Sequence, residues 1–319
     1  MSDFVGLVTL LSPFFALVGL GILTARIGRW PETAFVGMQV FLIYLALPCL
    51  FFRLIAEKPI GELANWRFIG LTTLATIMAF GLSFLLSLRS LSPPERVMAA
   101  VSGSYSNIGY MGPPLIASLL GVAGSAPVAL IFVFDTIFLF SAVPLLMGAA
   151  GAGTTSFAAT TVEVARRVLT HPFVLATMVG LSASVLQWRP PAAVDTMVGW
   201  LSGASAPVAL FLLGVTVAMR PVARVPREVW ALVAIKLVLH PMIVWSLLML
   251  VGGIEPVWIK TAVVMAALPP ALNIFVLARQ YDVGIERASA CVLVGTLVSM
   301  ATLTAFIWLL ETGSLPSGP

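Results

Sequence analysis

An all-α polytopic membrane protein is the fold class this sequence predicts: ten transmembrane helices as two inverted five-helix repeats, with two broken, crossing helices in spans 4 and 9. Three observations predict it. The 319 residues are 60% hydrophobic and 9% charged, with mean hydropathy +1.07, where soluble domains carry about one quarter charged residues. Ten apolar segments reach the length of about 20 residues that a bilayer requires. Two of them are interrupted by Pro-Pro pairs at corresponding places in the two halves, Pro113-Pro114 and Pro269-Pro270.

The segments run approximately over 4–25, 34–55, 67–88, 96–120, 125–148, 170–188, 195–218, 229–251, 257–280 and 286–310. The first has Asp3 as its only early charge and shows no small-residue cleavage site before Arg26, so it is expected to be a retained span and not a signal peptide. The second is expected to be interrupted at Pro48, and the seventh at Pro207. In the fourth, Asn107-Ile-Gly-Tyr-Met-Gly-Pro-Pro114 breaks the helix, and Leu268-Pro-Pro-Ala-Leu-Asn273 does the same in the ninth. Proline has no N–H, and its ring collides with the preceding turn. Main-chain groups freed in hydrocarbon cost several kcal/mol each, so such breaks survive only inside protein or beside water.

Five spans per half require the halves to enter the membrane in opposite directions. The prolines repeat accordingly: Pro48 to Pro113 is 65 residues, and Pro207 to Pro269 is 62. The expected organisation is a first repeat over 1–150, a cytoplasmic linker over 151–169 and a second repeat over 170–319. The linker is rich in Gly, Ala, Ser and Thr and too short for a domain. The tail after Glu311 is expected to be disordered.

The net charge of +4 and pI near 9.4 record orientation, not a nucleic-acid partner. With the N-terminus outside, the inside loops hold Arg26, Arg29, Arg89, Arg96, Arg166, Arg167, Arg220, Arg224, Arg227, Arg279 and Arg287. The outside loops hold only Arg53, Lys58, Arg67, Arg189 and Lys260. The positive-inside rule therefore places both termini on the periplasmic or extracellular side. Trp30, Trp66, Trp188, Trp258 and Trp308 flank spans, as an interfacial aromatic belt does. Cys49 and Cys291 lie in separate spans with no Cys/His cluster, so neither a disulfide framework nor a metal is expected.

Phe41-Leu-Ile-Tyr-Leu-Ala-Leu-Pro-Cys-Leu50, Asn107 to Pro113 and Ala267 to Asn273 resemble the auxin efflux carrier family. Ala206-Pro-Val-Ala-Leu-Phe-Leu-Leu-Gly214 and Phe275-Val-Leu-Ala-Arg-Gln-Tyr281 do so as well, in the same order along nearly the whole chain. The resemblance implies a fold similar to that of the bile acid/sodium symporters, and a permease in the bacterial inner membrane for malonate-like or auxin-like acids. It also implies a homodimer and an elevator motion, with spans 1, 2, 6 and 7 as scaffold and spans 3–5 and 8–10 moving.

Broken helices present free N–H groups and the positive dipole end of each half-helix, which suit a carboxylate. The candidate substrate-binding residues are Asn107, Gly109, Tyr110, Pro113, Pro114, Pro269, Pro270 and Asn273, with Pro48 and Pro207 on the scaffold side. An amide donates and accepts without adding charge. The plainer alternative is that each Asn only satisfies main chain freed by the prolines. Asp135, Lys236 and His240 are ionisable residues inside spans, where charge is costly and usually paired. An Asp135–Lys236 pair is expected, either to support the crossing in place of a bound cation or only to fasten two helices. His240, before an expected break at Pro241, reads as a packing residue; His171 reads as interfacial.

No zinc or phosphate-loop motif and no catalytic set is present, so no enzyme and no cofactor are expected. The expected function is secondary transport of small organic anions by alternating access. An anion-permeable channel or a non-transporting membrane sensor ranks behind it, since neither a continuous polar path nor an output domain is visible.

Overall fold

The computed structural model describes residues 4–28, 30–56, 58, 61, 64–152, 162, 166, 169–219 and 225–318. Among these the chain is helical throughout, with no strand. Most of the expected linker, and Arg29, Arg167, Arg220 and Arg224 of the orientation argument, lie outside the described residues.

The first half comprises α1 (Phe4–Gly28), α2 (Thr33–Ala56), α3 (Trp66–Leu86), α4 (Pro93–Ser102), α5 (Gly112–Leu120) and α6 (Ser125–Ala149). The second comprises α7 (Pro172–Val185), α8 (Ala192–Ala218), α9 (Arg227–Val251), α10 (Pro256–Ala267), α11 (Asn273–Tyr281) and α12 (Ile285–Glu311). Six stretches are long and apolar enough to cross a membrane: α2, α3, Gly112–Ala149, α8, α9 and α12; Ser12–Gly28, α7 and α10 are shorter apolar helices. The chain is a multi-pass membrane protein by this pattern.

The ends of several helices are written in their flanking residues. Asn65 caps α3 by accepting from the Phe68 N–H at 3.1 Å. Ser92 and Glu95 form a capping box at α4, with the Ser92 N–H donating to the Glu95 carboxylate at 3.1 Å. Asp282 and Gly284, both with left-handed φ, turn α11 into α12. Helix α1 lies along α8 at very close range: a Cβ at Gly21 would collide with the Phe211 carbonyl, and one at Gly214 with the Val18 carbonyl. Small residues are what membrane helices use for such approach.

Three prolines expected to interrupt helices do not break them. Pro48 and Pro241 each follow a π-turn, over Leu42–Ala46 and Ile235–Leu239, and the helices continue to Ala56 and Val251. The wider turn moves away the carbonyl that the proline ring would strike. Pro207 sits inside the uninterrupted α8. The paired prolines behave differently. Segment 96–120 is divided into α4 and α5, and segment 257–280 into α10 and α11.

The tail after Glu311 is ordered, against expectation. Leu315 is buried, and the Trp245 indole N–H donates to the Pro316 carbonyl at 2.7 Å, which fastens the tail to α9. One apolar anchor and one indole donor suffice to hold a segment too polar to read as structured.

Candidate functional site

The two breaks meet. The connection Gly103–Met111 between α4 and α5 runs antiparallel to Leu268–Leu272 between α10 and α11, with Ser106 bridged to Pro270. The Asn107 N–H donates to the Pro269 carbonyl at 2.8 Å, and the Ala271 N–H donates to the Tyr105 carbonyl at 3.2 Å. Each break thus supplies main-chain partners that the other has lost to its prolines. Pro113, Pro114, Pro269 and Pro270 are all buried in this crossing.

Beside it lies a cavity of about 70 Å³. Its polar side is built by Ser106, Asn107, Gly109 and Tyr110 from the first break, Asn273 from the second, and Thr136 from α6. Much of the rest of its lining is aromatic. Phe132 and Phe173 line it with ring centroids 5.4 Å apart, and Phe51 of α2 stacks behind both, at 4.2 Å and 5.5 Å. A Cβ at Gly109 would stand 3.3 Å from the Phe132 ring, so a larger residue there would press on the cavity wall.

Asn107 is the most exacting residue of the site. It is 1% exposed, and among the described residues neither its amide oxygen nor its amide nitrogen has a hydrogen-bond partner. A buried polar group left unpaired costs about 1–3 kcal/mol. The alternative in which this side chain merely satisfies freed main chain is therefore not what the structure contains: the Asn107 backbone does that work and the amide does not. The N–H groups of Gly109 and Asn273 likewise donate to no main-chain carbonyl among the described residues. The site has spare donors and no fixed charge in its lining.

Of the sequence candidates, the structure brings Asn107, Gly109, Tyr110 and Asn273 together in the lining. Pro48 and Pro207 do not line it, Pro207 being exposed. Pro48 acts at one remove, because the π-turn before it carries Ile43, which does line the cavity. His171 was expected at the interface and instead lines the cavity, its Nδ1 accepting from the Phe173 N–H at 3.4 Å and its ring 5.5 Å from Phe140. Thr136, Phe132, Phe140 and Phe173 were not legible beforehand. They sit in helices without a break, and only the packing of α6 and α7 against the crossing selects them.

Asp135, Lys236 and His240 are buried together behind the crossing. The expected direct Asp135–Lys236 pair is replaced by a relay; no direct ion pair joins them among the described residues. The Lys236 ammonium donates to the Ala266 carbonyl, at the C-terminal end of α10, where the helix dipole favours a cation. It also lies 3.4 Å from His240 Nδ1. His240 Nε2 is 3.4 Å from the Thr76 hydroxyl, which donates to Asp135 Oδ1 at 3.1 Å and is also 3.3 Å from the Thr72 carbonyl. An ammonium on one side and a carboxylate on the other fix the His240 tautomer: Nδ1 accepts and Nε2 carries the proton.

A multi-pass helical protein with a small polar site built between two broken, crossing helices defines a membrane carrier or pore by class. Residues 7–307 match the family described as membrane transport proteins, and the chain belongs to that family. It is 42% identical over 319 residues, 99% of each chain, to a protein of Rhizobium meliloti (strain 1021) named "Putative malonate transporter". It is 23% identical over 292 residues to an uncharacterized transporter of Methanothermobacter thermautotrophicus, covering 90% of this chain and 93% of that one. Auxin efflux carrier component 8 of Arabidopsis thaliana matches at 26% over 152 residues, 46% of this chain and 41% of that one. The resemblance drawn from the sequence motifs is thereby borne out.

Proposed function

We propose that this protein is a secondary transporter of small organic anions, carboxylates of the malonate or auxin-like type, working by alternating access. The observation that carries it is the buried, unpartnered amide of Asn107 in a cavity at the crossing of two helix breaks. A ligand carboxylate accepts from the Asn107 and Asn273 amides and from the free N–H groups at the breaks, while its organic body rests on Phe132 and Phe173. The names of the Rhizobium and Arabidopsis relatives agree with a carboxylate.

Ten spans in two inverted repeats, moving as an elevator within a homodimer in a bacterial inner membrane, with both termini outside, complete the proposal. The packing supports its division into scaffold and moving unit: α1 lies on α8 and α2 on α7 and α8, while both broken helices pack among α3, α6, α9 and α12. The proline pairs hold the breaks open, and the Lys236 ammonium on the Ala266 carbonyl supports the reading that a fixed positive charge serves the crossing in place of a bound cation.

Counterflow in proteoliposomes tests this, with a labelled panel of mono- and dicarboxylates and Asn273→Ala as the control. Saturable, competitor-sensitive exchange that the substitution abolishes is expected. Non-saturable flux without counterflow would instead identify a channel.

A further inference from the structure

The relay that ends at Asp135 is separated from the carboxylate cavity by a single wall. A second cavity of about 10 Å³, lined by Thr76, Ser106, Asp135, His240 and Ala266 among others, lies on the relay side. That is the space of about one water molecule. Ser106 belongs to the walls of both cavities, and Thr136, the residue after Asp135, lines the larger one. A negative charge in the large cavity therefore stands close to the Asp135 carboxylate, across the wall that Ser106 and Thr136 help to form.

We propose that Asp135 is a proton site coupled to the carried anion, so that one proton is bound with each carboxylate molecule and released with it. This rests on the transporter reading above. The groups facing Asp135 are Thr76 from α3, Lys236 and His240 from α9, and Tyr105 and Ser106 from the first break. Helix α10 contributes Met265 and the Ala266 carbonyl, and α2 contributes Phe51 against Phe132. Lys236 is the single fixed positive charge in this set and Asp135 the single fixed negative one.

The charge count decides the coupling. In the empty site, the Asp135 carboxylate and the Lys236 ammonium sum to zero. A monocarboxylate alone would leave the unit with one net negative charge, which is costly to carry through hydrocarbon. Two carboxylates in one poorly solvated region favour protonation of one of them. When a proton from the loading side forms an O–H bond on Asp135, the loaded unit returns to zero. On the far side the anion leaves, the Asp135 O–H bond breaks, and the proton enters water. His240 is a positioning residue here: it lies 3.4 Å from the Lys236 ammonium and links it to Thr76.

The test uses the full chain in proteoliposomes with an internal pH dye and radiolabelled indole-3-acetate and malonate. Counterflow is measured first, then uptake under a pH step, then uptake of indole-3-acetate under a potassium diffusion potential, all against protein-free vesicles. One proton per anion predicts about tenfold accumulation per pH unit, proton movement with the label, and indifference of indole-3-acetate uptake to potential. Asp135→Asn should lose the pH-driven accumulation and become responsive to potential. Thermal melting of that variant establishes whether it folds, and the wild-type result decides the matter if it does not. Counterflow in the wild type without proton movement or pH drive overturns the coupling and leaves the transporter reading intact; so does full pH drive in folded Asp135→Asn. No counterflow with either acid overturns both.

Discussion

The Asn107 N–H donates across the crossing to the Pro269 carbonyl at 2.8 Å, while the side-chain amide of the same residue stays buried and unpartnered. Main chain and side chain are thus divided between two tasks. The first closes the crossing, as any residue but proline could. The second holds donors in reserve, at a stability cost that packing alone has no reason to retain.

Removal of the amide should separate the two. Asn107→Ala keeps the backbone bond and deletes the unpaired group, so the variant should melt no lower than the wild type by more than about 1 kcal/mol. Its saturable counterflow should be lost. Unchanged transport kinetics in Asn107→Ala, measured beside its melting curve, would show that the amide plays no part in binding.

A second prediction concerns the support of the crossing. Gly295 of α12 lies directly under the Pro270 ring, and a Cβ there would come within 2.8 Å of Pro270 Cγ. The neighbour is the Pro270 ring, which cannot swing aside as a flexible side chain would. Gly295→Ala should therefore shift the second break, lower stability by an amount typical of overpacking, about 1–3 kcal/mol, seen as a lower melting temperature, and reduce transport. A variant with wild-type melting and flux would mean that the crossing is more compliant than its packing indicates.

The breaks were legible in the sequence because two adjacent prolines remove two donors and no single wide turn accommodates both. Pro48 and Pro241 misled for the same reason in reverse: a lone proline needs only one displaced carbonyl, and a π-turn absorbs it. Pro207 is carried inside the continuous α8 without such a turn. That Ser106 and Pro270 would pair across the crossing was not legible, since antiparallel pairing depends on how the half-helices approach. Lys236 and His240 shared a face by their four-residue spacing. Thr76, which joins them to Asp135, carries no charge and gave no signal in an apolar span.

Near the start of α4, Glu95 is held below the usual carboxylate range, first by donation from the Ser92 hydroxyl and N–H, then by Arg287. A depressed carboxylate stabilises the fold above its ordinary pKa and loses that contribution as pH falls through the lowered value. Ser92→Ala should cost about 1 kcal/mol at neutral pH, less for the solvent exposure of Glu95. The difference in melting temperature from wild type should shrink as the pH falls below the ordinary carboxylate range and the lowered carboxylate protonates. An equal difference at both pH values would show that the box does not act through the ionised carboxylate.

The relay from Lys236 to Asp135 predicts how two substitutions combine. Asp135→Asn leaves the Lys236 ammonium buried without its balancing charge, and removing one partner of such a pair costs about 3–5 kcal/mol. Lys236→Met should be comparably damaging, because Asp135 is then the unbalanced charge and the Ala266 carbonyl loses its charged donor and keeps only the Ser106 hydroxyl at 3.5 Å. The double variant removes both charges, so its loss of stability should fall well short of the sum of the single losses. His240 and Thr76 would remain hydrogen-bonded to each other at 3.4 Å, which keeps the comparison within one fold. Additive losses in the double-mutant cycle, measured by thermal melting in detergent, would mean that the charges do not sense each other through the relay.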